Sequence, residues 1–220
     1  MSNIFIIIPS FNECEYIENV IKKVKKYTNN IIVIDDGSTD NTYKIASHSI
    51  KYALKHEINL GKGAALKTGC EFAFNKLGAD AVVFIDGDNQ HDPKHIPDFI
   101  RALDNKNEIV FGIRKFSSKM PIYKMAGNRL ASFVVLVLFG KYIKDIPSGY
   151  KALSHNAYKK VKWDSSNYGV ELEIAVKTAK LRLPFSVVTI DTIYHDYDRG
   201  MTIMDVLKMI IKIFEWRIGL

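Results

Sequence analysis

The stretch VVFIDGDNQH, Val82 to His91, runs an apolar tetrad straight into Asp86, Gly87 and Asp88. An unbroken apolar run this short, closed by a turn, predicts a strand buried on both faces. Both carboxylates then lie just past its C-terminal end, where open α/β sheets bind ligands. Like charges that close repel each other. A hard divalent cation with oxygen ligands relieves the repulsion, and such ions commonly bridge to a substrate's phosphates. An Asp-x-Asp triplet is common by chance, so its weight comes from the strand before it and the motifs around it.

Upstream, strands and helices alternate. Ile4–Ile8 reads as a strand stopped by Pro9, and Glu13–Tyr27 as a helix with Ile17, Val20, Ile21 and Val24 at helical spacing. Ile31–Ile34 is a second strand, ending in Asp35, Asp36 and Gly37. Thr39 or Asp40 can cap a helix reaching about Lys55, with His56–Asn59 a short strand. Gly63–Leu77 is a helix and Ala81–Ile85 the strand before the carboxylates. This rhythm predicts a doubly wound, mainly parallel α/β sheet flanked by helices. Downstream come a helix over His95–Asp104 and a strand over Glu108–Gly112. The second half is less regular: helices over Lys124–Phe139 and Val170–Leu181, a turn at Pro147–Tyr150, a strand at Val187–Ile190 and a closing helix over Thr202–Ile218. That last helix mixes isoleucines and Trp216 with Lys208, Lys212 and Arg217, the pattern of an amphipathic helix that docks on the protein or lies on a membrane surface.

The 220 residues suffice for one α/β domain over 1–220, and 47% hydrophobic residues exclude a disordered chain. A net charge of +7 and a pI of about 9.2 fit an anionic partner: a nucleotide, a phospholipid headgroup, a membrane surface or a nucleic acid. No aromatic–basic RNA motif accompanies that charge, so no nucleic-acid partner is expected. Cys14 and Cys70 form no metal-ligand spacing and read as reduced thiols. The N-terminus lacks a basic region before its apolar run and reads as a strand, and no segment reaches the roughly 18 apolar residues of a membrane span.

Three further motifs close strand ends. Pro9–Glu13 opens a helix whose N-terminal amides favour an anion. In Asp35–Asp40 a carboxylate can accept from a nucleobase N–H or ribose hydroxyls while Gly37 makes the turn. Asn59–Ala64, with Lys62 between two glycines, suits a diphosphate. It is neither a P-loop nor a dinucleotide fingerprint.

Together these motifs resemble the GT-A glycosyltransferases of family 2, and within it the dolichyl-phosphate (polyprenyl-phosphate) mannosyl- or glucosyltransferase group. The resemblance covers roughly Ile4 to Thr202 and rests on IIIPSFNE (Ile6–Glu13), VIDDGSTDNT (Val33–Thr42), NLGKGAALKTG (Asn59–Gly69), FIDGDNQHDPKHIP (Phe84–Pro97), GIRK (Gly112–Lys115), NRLAS (Asn128–Ser132) and DIPSGYKAL (Asp145–Leu153). It implies an inverting transfer of a hexose, mannose or glucose, from a GDP- or UDP-linked donor to a polyprenyl phosphate. Pro9, Asn12, Glu13, Asp35 and Asp36 would line the nucleoside pocket, with Lys62, Asp86 and Gly87 near the diphosphate. Asp86, Asp88 and Gln90 would hold Mg²⁺ or Mn²⁺, and Arg114, Arg129, Arg199 and Ser148 the acceptor phosphate. Asp88, Arg114 and Arg129 are the candidate catalytic residues. Tyr168, Tyr194, Tyr197 and His195 are weaker candidates for substrate contact, and His91 for the metal's surroundings.

An ionised phosphate acceptor needs no general base, whereas a sugar hydroxyl does. Asn167–Glu173 offers Glu171 and Glu173 but no Glu-Asp pair, which favours the phosphate; a hydroxyl acceptor is the alternative. Two motifs depart from the group: Ser148-Gly-Tyr-Lys151 carries Tyr for the usual Phe, and Asp198–Thr202 alters the spacing around Arg199. Many of the group continue into transmembrane helices. Here the resemblance implies a cytoplasmic protein peripheral to a membrane, held by its own surface or by a partner protein.

Overall fold

The computed structural model describes residues 3–104, 107–115, 122–167, 169–191 and 203–218. Its strands are β1 (Ile4–Ser10), β2 (Ile31–Asp35), β3 (Tyr52–Lys55), β4 (Ala81–Phe84), β5 (Ile109–Arg114), β6 (Lys151–Ser154) and β7 (Phe185–Ile190). They form one seven-stranded sheet in the order β3-β2-β1-β4-β6-β5-β7. Every neighbouring pair is parallel except those of β6, which runs antiparallel between β4 and β5.

Helices cover both faces. Ile4, Ile6 and Ile8 of β1 pack with α1 (Ile17–Val24), α2 (Thr42–Ser49) and α4 (Ile96–Asp104). Phe5 and Ile7 point the other way, toward α3 (Lys62–Lys76), α5 (Ile122–Phe139), α6 (His155–Val161), α7 (Val170–Lys180) and α8 (Ile203–Ile218). Because successive strand residues face opposite sides, an all-apolar strand is stable only when both sides are covered. The α/β, doubly wound and mainly parallel sheet flanked by helices expected from the sequence is the one observed.

Several boundaries differ from expectation. Pro9 does not end β1, which pairs with β2 through Ser10. Pairing with β4 stops at Ile7, whose carbonyl accepts from Ile85 N–H, so the missing N–H of Pro9 leaves no gap in that ladder. Residues 13–16 form a turn rather than the start of α1, with Tyr16 N–H and Ile17 N–H both donating to the Glu13 carbonyl. Helix α2 ends at Ser49 instead of near Lys55, and His56–Asn59 is not a strand. Ser47 and Ser49 hydroxyls bond back to the Lys44 and Ile45 carbonyls, and the chain turns extended at Ile50 to pair Tyr52–Lys55 with β2. Strand β6 and helix α6 were not foreseen. Each is short, and β6 opens on a buried lysine, which hides its apolar pattern.

Candidate active site

The C-terminal ends of β1, β2 and β4 carry loops that lie against one another: Asn12 and Glu13 bond to the loop after β2, and Gly87 lies against Ser10. Beyond β4, Asp86 N–H donates to His91 Nδ1 at 3.2 Å and Gln90 N–H to Asp88 Oδ1 at 2.9 Å, so the loop folds back on itself. Gly87 packs closely on the β1 loop: a Cβ there would sit 2.5 Å from Ser10 Oγ and 3.2 Å from Pro9 O. Burial pushes the His91 imidazole down to about 4, with Asp86 opposing, so the ring is neutral at pH 7 and Nδ1 can accept. His91 is thus a brace for the carboxylate loop.

Asp86 is not alone. Lys62, the first residue of α3, places Nζ 2.8 Å from Asp86 Oδ1 and 2.8 Å from Glu171 Oε1 of α7. Burial works against all these charges, but the pairing outweighs it: the Lys62 ammonium is held above the ordinary lysine range and the Asp86 carboxyl below the usual carboxylate range. A cation therefore already sits on Asp86, and it belongs to the glycine-rich loop. That loop is buttressed from behind. Ala64 N–H donates to Ser166 O and Trp163 Nε1–H to Gly63 O, and a Cβ at Gly63 would lie 2.1 Å from Ser165 O. Glu173 holds the buttress, accepting from Asp164 N–H, Ser165 N–H and Ser165 Oγ–H while pairing with Lys177.

The two aspartates after β2 divide their work. Asp36 accepts from Leu60 N–H at 3.0 Å and Gly61 N–H at 2.8 Å, and its Oδ1 lies 2.7 Å from His56 Nδ1. It is committed to the glycine loop. Asp35 is fully buried; its Oδ2 accepts from Ser38 N–H, while Oδ1 has no partner among the described residues. An acceptor buried without a partner is costly unless a ligand completes it. Asn12, at φ +54, ties the β1 loop to the β2 loop: its N–H donates to Ser38 Oγ, and its Oδ1 accepts from Thr39 N–H. Glu13 N–H donates to Thr42 Oγ1, so Pro9–Glu13 is registered against the same loop.

Around Arg114, Asp145 is the organiser. Its carboxylate accepts from Arg114 N–H and Nε–H at 2.8 and 2.9 Å, from Arg114 Nη2–H at 2.6 Å and from Asn128 Nδ2–H at 2.9 Å. Beside it, Asn128, Arg129, Ser132, Tyr142, Lys144 and Asp145 line a cavity of about 170 Å³. Ser148 is buried in the turn after Asp145, its N–H donating to Asp145 O. Arg114 and Arg129 therefore play different parts: Arg114 is gripped by a carboxylate, and Arg129 opens on the cavity. Arg199, Tyr168, Tyr194, His195 and Tyr197 lie outside the described residues.

Residues 5–161 match the sequence model of Glycosyl transferase family 2. The chain is a family 2 glycosyltransferase. It is 34% identical to the UDP-N-acetylglucosamine–dolichyl-phosphate N-acetylglucosaminyltransferase of Methanococcus voltae, over 98% of this chain and 96% of that protein. The dolichol-phosphate mannosyltransferase of Pyrococcus furiosus is 28% identical over 96% of this chain and 63% of its own length. Among solved structures, glucosyl-3-phosphoglycerate synthase from Mycobacterium tuberculosis in complex with phosphoglyceric acid superposes with a TM-score of 0.75 at 25% identity, covering 99% of this chain and 80% of that one. The same enzyme with Mn²⁺ and UDP-glucose gives a TM-score of 0.76 at 24% identity over 99% and 79% of the two chains, a likeness of fold.

In this glycosyltransferase the loop after β4 carries the carboxylates of Asp86 and Asp88 and the side-chain amide of Gln90, and the Asp86 carboxylate already pairs with the Lys62 ammonium. The described residues hold no group of three or more His, Cys, Asp or Glu able to cage a metal alone. Carboxylate and amide oxygens are the donor type that Mg²⁺ and Mn²⁺ take, ions that keep positions for substrate phosphates. The sequence offered Glu173 as a candidate base, and the structure makes it part of the buttress; the part of Trp163 and the grip of Asp145 were left unassigned, although Asp145 opens the quoted DIPSGYKAL motif.

The Asp145 grip should be visible in stability. Burial would raise its carboxyl, but Arg114 outweighs that and lowers it below 3.8. A carboxyl depressed in the folded state adds stability above its unfolded value and loses it as pH falls through the folded one. Asp145→Asn is expected to cost roughly 2–4 kcal/mol at neutral pH. In urea unfolding from pH 7 to 2.5, the gap to wild type should close only below about pH 4. A gap independent of pH would contradict the charge assignment.

Proposed function

We propose that this glycosyltransferase moves a sugar from a UDP- or GDP-linked donor to a polyprenyl phosphate at a membrane surface, with inversion and with Mg²⁺ or Mn²⁺. The observation that carries this reading is the cavity of about 170 Å³ on α5, which combines Arg129 and Lys144 with Asn128 and Ser132 and lies on a helix that exposes Leu130, Phe133, Leu136 and Val137. A phosphate fits such a cationic recess, and an isoprenoid tail fits the apolar helix face beside it.

Asp86, Asp88 and Gln90 would hold the metal, which when bound supplies Lewis-acid stabilisation of the departing nucleoside diphosphate. Lys62, at the N-terminus of α3, adds a positive charge where the leaving group's negative charge grows. The open oxygen of Asp35 would accept from the nucleoside. Arg129, with Arg114 set by Asp145, would hold the acceptor phosphate in line. A phosphate monoester is mostly dianionic near pH 7, so its oxygen attacks without a base. Of the two glutamates the sequence offered as bases, Glu173 is committed to the buttress, and Glu171 pairs with Lys62 through Oε1 while its buried Oε2 has no partner among the described residues.

Helices α5 and α8 pack side by side, and α8 exposes Ile211, Phe214 and Ile218 among Lys208, Lys212 and Arg217. No helix among the described residues is long and apolar enough to cross a membrane. We place this paired face on the cytoplasmic surface of a bilayer. Flotation with vesicles containing about one-third anionic lipid should carry wild type, whereas the double variant Phe133→Glu and Phe214→Glu should stay behind, its binding reduced at least tenfold. Equal flotation would remove this face from the assignment.

The function itself is tested by a donor panel of UDP-N-acetylglucosamine, UDP-glucose, GDP-mannose and GDP-glucose with Mn²⁺. Transfer is scored to a short-chain polyprenyl phosphate, to phosphoglyceric acid and to simple sugar alcohols. Transfer to the polyprenyl phosphate from at least one donor is expected. Turnover only with hydroxyl acceptors would move the enzyme to the alternative class.

A further inference from the structure

Lys151 begins β6 and is only 1% exposed. It lies opposite Phe84 on one neighbouring strand and Phe111 on the other, with its ammonium 5.6 Å from the Phe111 ring centroid. No carboxylate among the described residues reaches it at ion-pair distance. Its Nζ donates instead to the backbone carbonyls of Ile146, at 3.1 Å, and Ser148. Burying a lone ammonium costs several kcal/mol, and an apolar side chain in the same place would avoid that cost. The ammonium must therefore do something an apolar residue cannot, and what it does is hold a turn.

That turn touches both halves of the site. At its start Asp145, at φ +55, grips Arg114 and Asn128. At its end Gly149 lies so close to the donor side that a Cβ would be 2.7 Å from Asp86 Oδ2 and 2.7 Å from Lys62 Nζ. Between them, Ser148 N–H closes on Asp145 O, and just beyond, Gly112 N–H donates to Tyr150 O. The segment 145–149 is thus a strut between the carboxylate loop and the acceptor arginines. We propose that Lys151 is a positioning residue: by gripping the backbone of this strut, it sets the spacing between Asp86 and the arginines Arg114 and Arg129. Burial lowers the Lys151 ammonium to about 8, with Glu171 and Asp145 among the groups opposing, so it remains mainly charged near neutral pH and can serve as a strong double donor.

The proposal rests on the donor and acceptor sides assigned above, and its test separates the two. Wild type, Lys151→Met and Lys151→Arg are compared as whole chains. One readout is hydrogen exchange of the peptide spanning residues 145–151, which needs no substrate. Lys151→Met should speed exchange at Ser148 and Gly149 at least tenfold while leaving β1 and α3 unchanged, and Lys151→Arg should restore most of the protection. The other readout is kinetics with the donor that turns over in the panel and a short-chain polyprenyl phosphate. Lys151→Met should lower kcat at least thirtyfold with both KM values within threefold, and Lys151→Arg should recover at least a third of wild-type kcat. If Lys151→Met does not fold, Lys151→Gln carries both readouts with the same expected directions. A folded neutral variant with unaltered exchange in the strut, or with kcat within threefold of wild type, overturns the proposal. A wild type that turns over no pair sinks the proposed function alone, and the exchange comparison still decides whether Lys151 grips the strut.

Discussion

Asp88→Asn is expected to lower sugar transfer by about a thousandfold or more, equivalent to about 4 kcal/mol of transition-state stabilisation. The substitution is chosen because Asn keeps an oxygen for the Gln90 N–H that Asp88 Oδ1 now accepts, so the loop after β4 retains its shape. What it removes is a charge. If Asp86, Asp88 and Gln90 hold the metal as proposed, loss of one carboxylate takes away half of the formal negative charge they offer. Asp86 cannot compensate, because it already shares its charge with the Lys62 ammonium at 2.8 Å. Two measurements check this. Mn²⁺ binding followed by electron paramagnetic resonance in the presence of UDP should weaken at least thirtyfold, and thermal unfolding should stay within a few degrees of wild type. Transfer within tenfold of wild type at saturating Mn²⁺ would show that the leaving diphosphate is stabilised elsewhere.

Arg129→Ala is expected to lower kcat/KM for the acceptor at least a hundredfold while the affinity for UDP with Mn²⁺ changes less than twofold. Arg129 is exposed on α5 and lines the cavity with Lys144, and no residue of the carboxylate loop lines that cavity. A guanidinium can offer a phosphate two parallel hydrogen bonds, and bonds to charged groups are each worth about 1.5–3 kcal/mol. Losing both exceeds the ~3 kcal/mol that a hundredfold effect requires. Arg129→Lys keeps the charge and loses the fork, so it should fall between the two. Arg114 gives a less clean test, because among the described residues its removal leaves buried Asp145 with only Asn128 and the backbone N–H of residue 114 as partners. Weaker UDP binding in Arg129→Ala, with a normal acceptor dependence, would place this arginine on the donor side.

Much of the fold follows from short-range pattern. The apolar run before Asp86 and Asp88, the isoleucines before Pro9 and Ile31–Ile34 before Asp35 each announce a covered strand, and α1 and α3 follow from helical spacing. Where expectation missed, local signals conflicted. Ser47, His48 and Ser49 look like helix continuation, yet their side chains or ring nitrogens bond back to carbonyls one turn earlier, and β3 is decided by its pairing with β2. Lys151 looks like a surface residue, because no pattern within β6 says that strands will flank it on both sides.

The same division runs through the site. By itself the sequence determined that carboxylates stand at the end of β4, that a lysine sits in a glycine loop at a helix start, and that the chain carries the motifs of family 2. These are properties of residues near one another along the chain, and strand ends and helix starts are announced locally. Only the tertiary structure decided that Asp36 serves the glycine loop while Asp35 keeps an open oxygen, that Lys62 joins Asp86 to Glu171, that Asp145 holds Arg114, and that Lys151 holds the turn between the two halves. Each of those pairings spans loops brought together by sheet order, above all by β6 inserted antiparallel between β4 and β5, and the partner of a buried charge is set by which chain segment the topology lays beside it.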